Sequence, residues 1–314
     1  MITDVGGVRV GHTTLWEGDD IRTGVSVVVP PRLPCFAGCH TLNGNGEVTG
    51  LEWLRESGFL TSPIGLTNTH SVGVVRDALV RWEIRNGPDR WHLPIVGETF
   101  DGFLNDINGM HVREGHVFAA LESAAGGAVE QGCVGSGTGM ICHGFKGGIG
   151  TASAPAGEWT VGVLVQANHG RRARLRIDGV PVGEELGPDV VPMPGAPEGA
   201  GSIIVIVATD APLLPHQCRK LAQRAELGIG RTGGAGEDSS GDFMLAFSTA
   251  PTESPVAYLA NEMLNDLYYA TIDATEQAIV NALLHAKTTT GREGRVVHAL
   301  PQERLDAIMR KYGR

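Results

Sequence analysis

Short runs of β-branched and other apolar residues recur along the chain with glycine between them, at residues 8–10, 24–29, 93–96, 160–167, 203–208 and 242–248. Bounded runs of this length read as strands. Between them, apolar positions spaced three and four apart predict helices over 72–85, 116–131, 213–227, 263–287 and 302–311. Strands and helices alternate too irregularly for a doubly wound sheet, so the pattern predicts an α+β layered sandwich. Two stretches break the texture: a Pro/Gly-rich segment at 187–201, and GIGRTGGAGEDSSG at 228–241. Loops of that length are usually functional or disordered. A buried-type strand follows each one directly, so neither reads as an interdomain linker, and one domain over 1–314 is expected.

Composition narrows the class. With 314 residues, 42% apolar and 19% charged, the chain has enough apolar side chains for a sizeable core. Glycine contributes 45 residues, about twice the usual share, without the three-residue period of collagen. A formal charge of -10 argues against a nucleic-acid or anionic-membrane partner. The basic run at 171–176 reads as a solvated strand or loop face. The opening MITDVGGVRV has no basic region followed by an apolar stretch, and the longest apolar run is too short to span a bilayer. A cytoplasmic protein is expected. Five scattered cysteines, Cys35, Cys39, Cys133, Cys142 and Cys218, make no disulfide framework. Cys35, Cys39 and His40 suggest metal, but no second pair at ligand spacing completes a site, so buried, inert thiols are expected.

Local motifs exclude several chemistries. Gly228, Gly230 and Gly233 spell G-x-G-x-x-G, but a helix precedes and a strand follows, the reverse of a dinucleotide site. No nucleophile elbow, P-loop or H-E-x-x-H is present. Ser239-Ser240-Gly241-Asp242 is more informative, because it joins the glycine-rich loop to the strand FMLAFST. Two readings of Ser240 stand. It is a turn residue entering a strand, or it is a nucleophile that gains a free α-amine, with a pKa of about 8, once the bond before it is cut. Glu276 lies on or beside the apolar stripe of Leu264, Leu267, Ile272, Ile279 and Leu283. A carboxylate there needs a partner unless it bends out to water. The glycine-dense stretch 132–153 permits close approach of backbone to a substrate or a subunit. Asn168, at the end of the strand TVGVLVQA, is either a turn residue or an oxyanion donor.

These segments together resemble a known family. ITDVGGVRVGH, NGNGEVTGLEWLRESGFL, PIGLTNTHSVG, PIVGETFDGFLNDI, VGSGTGM with FKGGIGTAS, VLVQANHG, IIVIVATDAPLLPHQ, SGDFMLAFSTA and ATEQAIVNALLHAKTTTG resemble, in order and almost end to end, the DmpA-type aminopeptidases. That family includes L-aminopeptidase/D-Ala-esterase/amidases and β-peptidyl aminopeptidases. The resemblance implies a four-layer αββα sandwich of the N-terminal nucleophile hydrolase kind with its own strand connectivity. It implies self-cleavage between Ser239 and Ser240 into chains 1–239 and 240–314, and assembly as a homo-oligomer. It makes Ser240 the nucleophile, Glu276 the carboxylate that orients the new α-amine, Asn168 the oxyanion amide and Glu130 the anchor for the substrate amine. His143 stands where the family often has a tyrosine near the oxyanion. Ala274 replaces a serine found in some members, and Ser239 replaces the commoner Asn or Gly. The activity implied is release of N-terminal residues from small peptides, amides or esters, with no metal or organic cofactor. The alternatives are an endo-acting oligoamide hydrolase on the same scaffold and a catalytically silent binding protein that never matures.

Overall fold

A computed structural model describes residues 1–87, 91–195 and 201–314. Four strands, β1 (Arg9–Glu17), β2 (Ile21–Val29), β5 (Ile64–Asn68) and β6 (Ile95–Thr99), form one sheet in the order β1-β2-β5-β6. Six form a second sheet in the order β4-β3-β12-β11-β10-β9: β3 (Cys35–Gly44), β4 (Phe59–Leu60), β9 (Gly148–Ala156), β10 (Trp159–Asn168), β11 (Ser202–Thr209) and β12 (Gly241–Ser248). Small hairpins pair β7 (Ile141–Cys142) with β8 (Phe145–Lys146) and β13 (Thr289–Thr290) with β14 (Val296–Val297). The helices are α1 (Leu51–Ser57), α2 (Val72–Asn86), α3 (Glu114–Glu122), α4 (Val182–Glu185), α5 (Pro215–Arg231), α6 (Asn265–Leu284) and α7 (Gln302–Lys311). Only β5–β6 and β11–β12 pair in parallel within the two large sheets. Each of those pairs is joined through a helix, α2 and α5, as parallel neighbours require.

Strand parity builds the four layers. On β11, Ile204 and Ile206 face the four-stranded sheet, where they meet Val28, Ile64, Leu66 and Ile95; Ile203, Val205 and Val207 face the helices. A strand buried on both sides reads as an unbroken apolar run, which is why 203–208 stands out in the sequence. Leu221 and Ala225 of α5 and Ile279 and Leu283 of α6 cover the helix side of the six-stranded sheet. On the far side of the molecule, Val75 and Leu79 of α2 and Val117 and Ala120 of α3 cover Val25 and Val27. The order is therefore helix, sheet, sheet, helix. None of the described helices is long and apolar enough to cross a membrane.

Strands β3, β5 and β9 escaped notice because glycine, threonine and serine dilute their apolar pattern. The helix expected over 116–131 is α3, which ends at Glu122; Gly127 beyond it takes a left-handed φ of +85°. The loop expected from 228 begins only after Arg231, because α5 continues through Gly228 and Gly230. Gly228 is where α5 touches α6: a Cβ there would lie 2.7 Å from the carbonyl oxygen of Ile272. Of the expected segment 187–201, residues 196–200 lie outside the described residues.

Candidate active site

The site is built at one end of the six-stranded sheet, where Asn168, Ser202 and Gly241 are lateral neighbours on β10, β11 and β12. On the other side of β12 runs β3. Asp242 pairs with Asn43 and Phe243 with Thr41, so Leu42 is an extra residue and the ladder is bulged there. The bulge carries Asn43 and Asn45 alongside the loop that enters β12. Asn43 Nδ2 donates to the carbonyls of Glu237 and Asp238, each at 3.0 Å, and to that of Ser240. Asn45 donates its backbone N–H to Ser240 O at 3.3 Å and its side-chain Nδ2 to Ser239 O at 2.7 Å. Ser240 N–H closes a turn onto Glu237 O at 2.7 Å. The backbone on both sides of the Ser239–Ser240 bond is thus held by hydrogen bonds.

Ser240 is 1% exposed, and its hydroxyl donates to Asp242 Oδ1 at 2.6 Å. Residues two apart on an extended chain share a face, so Asp242 aligns with Ser240, and with Met244 and Ala246 toward the helix layer. Burial pushes the Asp242 carboxyl up to about 6, although the Ser240 hydrogen bond works the other way. Its Oδ2 has no hydrogen-bond partner. Neither Asp242 nor the two asparagines emerged from the sequence. The i, i+2 spacing of Ser-Gly-Asp was the available signal for Asp242; that Asn45 lies beside Ser239 is a tertiary fact.

The other sequence candidates fall elsewhere in the unbroken chain. Asn168 points into the space between the sheets, as Leu164 and Gln166 do, where its Nδ2 donates to Phe100 O at 3.1 Å and its Oδ1 accepts Ile141 N–H at 2.7 Å. It is two strand spacings from Gly241, about 10 Å, and on the opposite face from Asp242. Glu276 is half-buried on α6, with its carboxylate 3.2 Å from Arg231 of α5 rather than on Ser240. Glu130, the anchor for the substrate amine that the resemblance implies, is exposed. It precedes Gly132, which bridges to Ile149 of β9, and β9 lies three strands, about 14 Å, from β12. The reason is the early end of α3: the extended segment after Gly127 runs past the outer edge of the sheet.

His143 is fully buried beneath the turn that follows β10. Its ring lies 2.3 Å from where a Cβ on Gly170 would stand, and its Nδ1 is 3.1 Å from Arg171 O. Burial pulls its pKa down to about 4, so the ring is neutral at pH 7. Cys142, His143 and His169 place ligating atoms within 4.8 Å of one another, and Nε2 of both histidines lacks a partner. These are the donor types of a soft-metal site. The surroundings oppose a dication: burial pushes the Cys142 thiol up to about 12, and the Arg172 guanidinium is bonded to His143 O. The Cys35, Cys39 and His40 group is split by strand parity. The two thiols face the other sheet, whereas His40 Nε2 lies 2.9 Å from Glu226 of α5.

The whole chain has close relatives, and residues 1–297 match Peptidase family S58. The chain belongs to that family. It is 46% identical to the β-peptidyl aminopeptidase BapA of Sphingosinicella microcystinivorans over 350 aligned residues, covering 100% of this chain and 88% of that protein. With BapA of Sphingosinicella xenopeptidilytica the identity is 41%, over 98% of this chain and 86% of the other. Among solved structures, a β-aminopeptidase of a Burkholderia species superposes with a TM-score of 0.93 at 52% identity, covering 100% of this chain and 94% of that one. The L-aminopeptidase D-Ala-esterase/amidase of Ochrobactrum anthropi, described as a prototype of the serine aminopeptidases and a variant of the Ntn hydrolase fold, superposes with a TM-score of 0.91 at 42% identity and the same coverage. This S58 chain is accordingly a hydrolase, an aminopeptidase of the serine type, and the αββα sandwich is its family fold.

Proposed function

We propose that Ser240 is the nucleophile of a self-processing aminopeptidase that releases N-terminal residues from small peptides, amides or esters. One observation carries the assignment: a buried serine hydroxyl stands immediately ahead of β12 with a carboxylate 2.6 Å away. Cleavage of Ser239–Ser240 makes Ser240 the first residue of a chain 240–314. Its new α-amine, with a reference pKa of about 8, serves as general base for its own hydroxyl. The hydroxyl attacks the substrate carbonyl, the amine passes the proton to the leaving nitrogen, and water then hydrolyses the acyl-enzyme. Asn168, at the same end of the sheet, is the proposed oxyanion donor, the role the family resemblance implies; in the unbroken chain its amide donates to Phe100 O instead. The names of the relatives support β-amino acyl substrates. Exposed Leu227, Met263 and Tyr269 on the outer helix layer support a homo-oligomer, and the five free thiols support a reducing, cytoplasmic setting.

Intact-mass analysis tests the nucleophile: the wild type should give fragments 1–239 and 240–314, and Ser240→Ala a single chain. Paired α- and β-amino acyl p-nitroanilides, each with and without an N-acetyl group, test the substrate. A free amine should be required. Equal cleavage of acetylated substrates would favour the endo-acting amidase.

A further inference from the structure

Before self-cleavage, the amine on which the mature mechanism draws does not exist. The Ser240 nitrogen is part of the Ser239–Ser240 peptide bond, its lone pair is delocalised, and it cannot take a proton from the hydroxyl beside it. The first cut therefore needs another base and its own oxyanion donor. The unbroken chain holds a candidate for each. Asp242 Oδ1 accepts the Ser240 hydroxyl at 2.6 Å, and Asn45 Nδ2 donates to Ser239 O, the oxygen of the carbonyl to be attacked, at 2.7 Å.

We propose that Asp242 and Asn45 are the maturation machinery, Asp242 as general base for the Ser240 hydroxyl and Asn45 as donor to the oxyanion that forms on Ser239 O. The inference rests on Ser240 being the nucleophile. In the first step the proton of Ser240 Oγ passes to Asp242 while Oγ bonds to the carbonyl carbon of Ser239, placing negative charge on Ser239 O opposite Asn45. The C–N bond then breaks, the nitrogen takes the proton from Asp242, and an ester links Ser239 to Ser240 Oγ. Water hydrolyses that ester, leaving a carboxylate on Ser239 and a free hydroxyl and α-amine on Ser240. Ser239 and Asn45 are exposed, which gives water access to the ester. Asn43, bonded to three carbonyls of the same loop, is a positioning residue.

The electrostatics suit this division of labour. Burial raises the Asp242 carboxyl to about 6, so it is ionised at neutral pH and more basic than an ordinary aspartate. Glu237 of the same loop contributes to the rise and is itself 3.6 Å from Arg171. From β3, His40 is engaged by Glu226 of α5, and β11 offers the backbone of Ile203.

Pulse-chase of the full chain made by cell-free translation, read by gel and intact mass, tests the proposal. The wild type should convert, at a rate that falls about tenfold per pH unit below about pH 6. Asn45→Ala should convert about tenfold more slowly, less than the ~10²–10³ of a water-excluded oxyanion hole because this amide is exposed. Asp242→Asn should convert at least about a hundredfold more slowly and lose the pH-dependent limb, with partial rescue in Asp242→Glu. If the wild type stays whole, or Ser240→Ala is cut, the nucleophile reading falls and this inference with it. If the wild type is cut and both variants mature at its rate, the nucleophile reading stands and only this inference is overturned. Should Asp242→Asn fail to fold, Asn45→Ala and the wild-type pH profile decide: normal maturation of the one and a flat profile from pH 5 to 7.5 in the other overturn it.

Discussion

Arg172 is 2% exposed and carries a charge in the core beside the site. Its guanidinium donates to four backbone carbonyls: His143 O at 3.1 Å, Gly144 O at 2.5 Å, Leu186 O at 2.9 Å and Val191 O at 3.1 Å. It also lies 3.5 Å from the centre of the Phe145 ring. One planar fork thus ties the turn after β10 to the β7–β8 hairpin and to the segment following α4. In Arg172→Lys the charge remains, but a single ammonium on a flexible stem cannot span the same four acceptors. With two or three carbonyls left dry at about 1–3 kcal/mol each, and part of that regained by relaxation, the loss should be about 3–5 kcal/mol. At ~2.1 cal/mol/K per residue, this corresponds to a fall in Tm of about 5–8 °C. Urea and calorimetric unfolding should be run in a Ser240→Ala background, so that a single chain unfolds in every sample. A loss below about 1 kcal/mol for Arg172→Lys would refute the reasoning, because the fork would then not be what satisfies these carbonyls.

Three further outcomes are expected. Glu276→Gln should cost less than about 1 kcal/mol, because the Arg231 pair is partly exposed; a large fall in turnover per folded molecule would then assign its carboxylate to the α-amine, and a large fall in Tm alone would make it structural. The Asp101 carboxyl, fully buried, is raised from 3.8 to about 6 by desolvation, so the stability it contributes is fully present below about pH 4 and lost as pH rises through about 6. In urea titrations Asp101→Asn should therefore gain on the wild type by roughly 2–2.5 kcal/mol between pH 4 and pH 7, and a difference that stays constant over that range would show that this carboxyl is not the source. At Gly150, where an added Cβ would come 1.9 Å from Ala278 O of α6, Gly150→Val should sharply lower Tm; an unchanged Tm would mean that α6 can lift from β9 at little cost.

Local pattern carried the elements whose two faces have distinct fates within their own residues. The apolar run of β11, the helical stripe of α6 and the loop-to-strand junction at Ser240 are readable because burial periodicity and chain order are properties of one segment. The family resemblance added the roles of Ser240, Asn168, Glu276, His143 and Glu130, still as positions along a chain. What the tertiary structure alone decided was adjacency. A bulge at Leu42 sets the register of β3 on β12, and that register brings Asn45 to the Ser239 carbonyl from almost two hundred positions away. Strand parity sends the Ser240 hydroxyl toward Asp242 and the helices, and Asn168 toward the other sheet, although both lie at the same end. Glu130 is exposed because α3 stops at Glu122, and α5 runs through two glycines because α6 lies against one of them. A sequence records which positions of a segment are buried; which distant backbone fills the space opposite depends on pairing and packing between segments, and that is where this site is assembled.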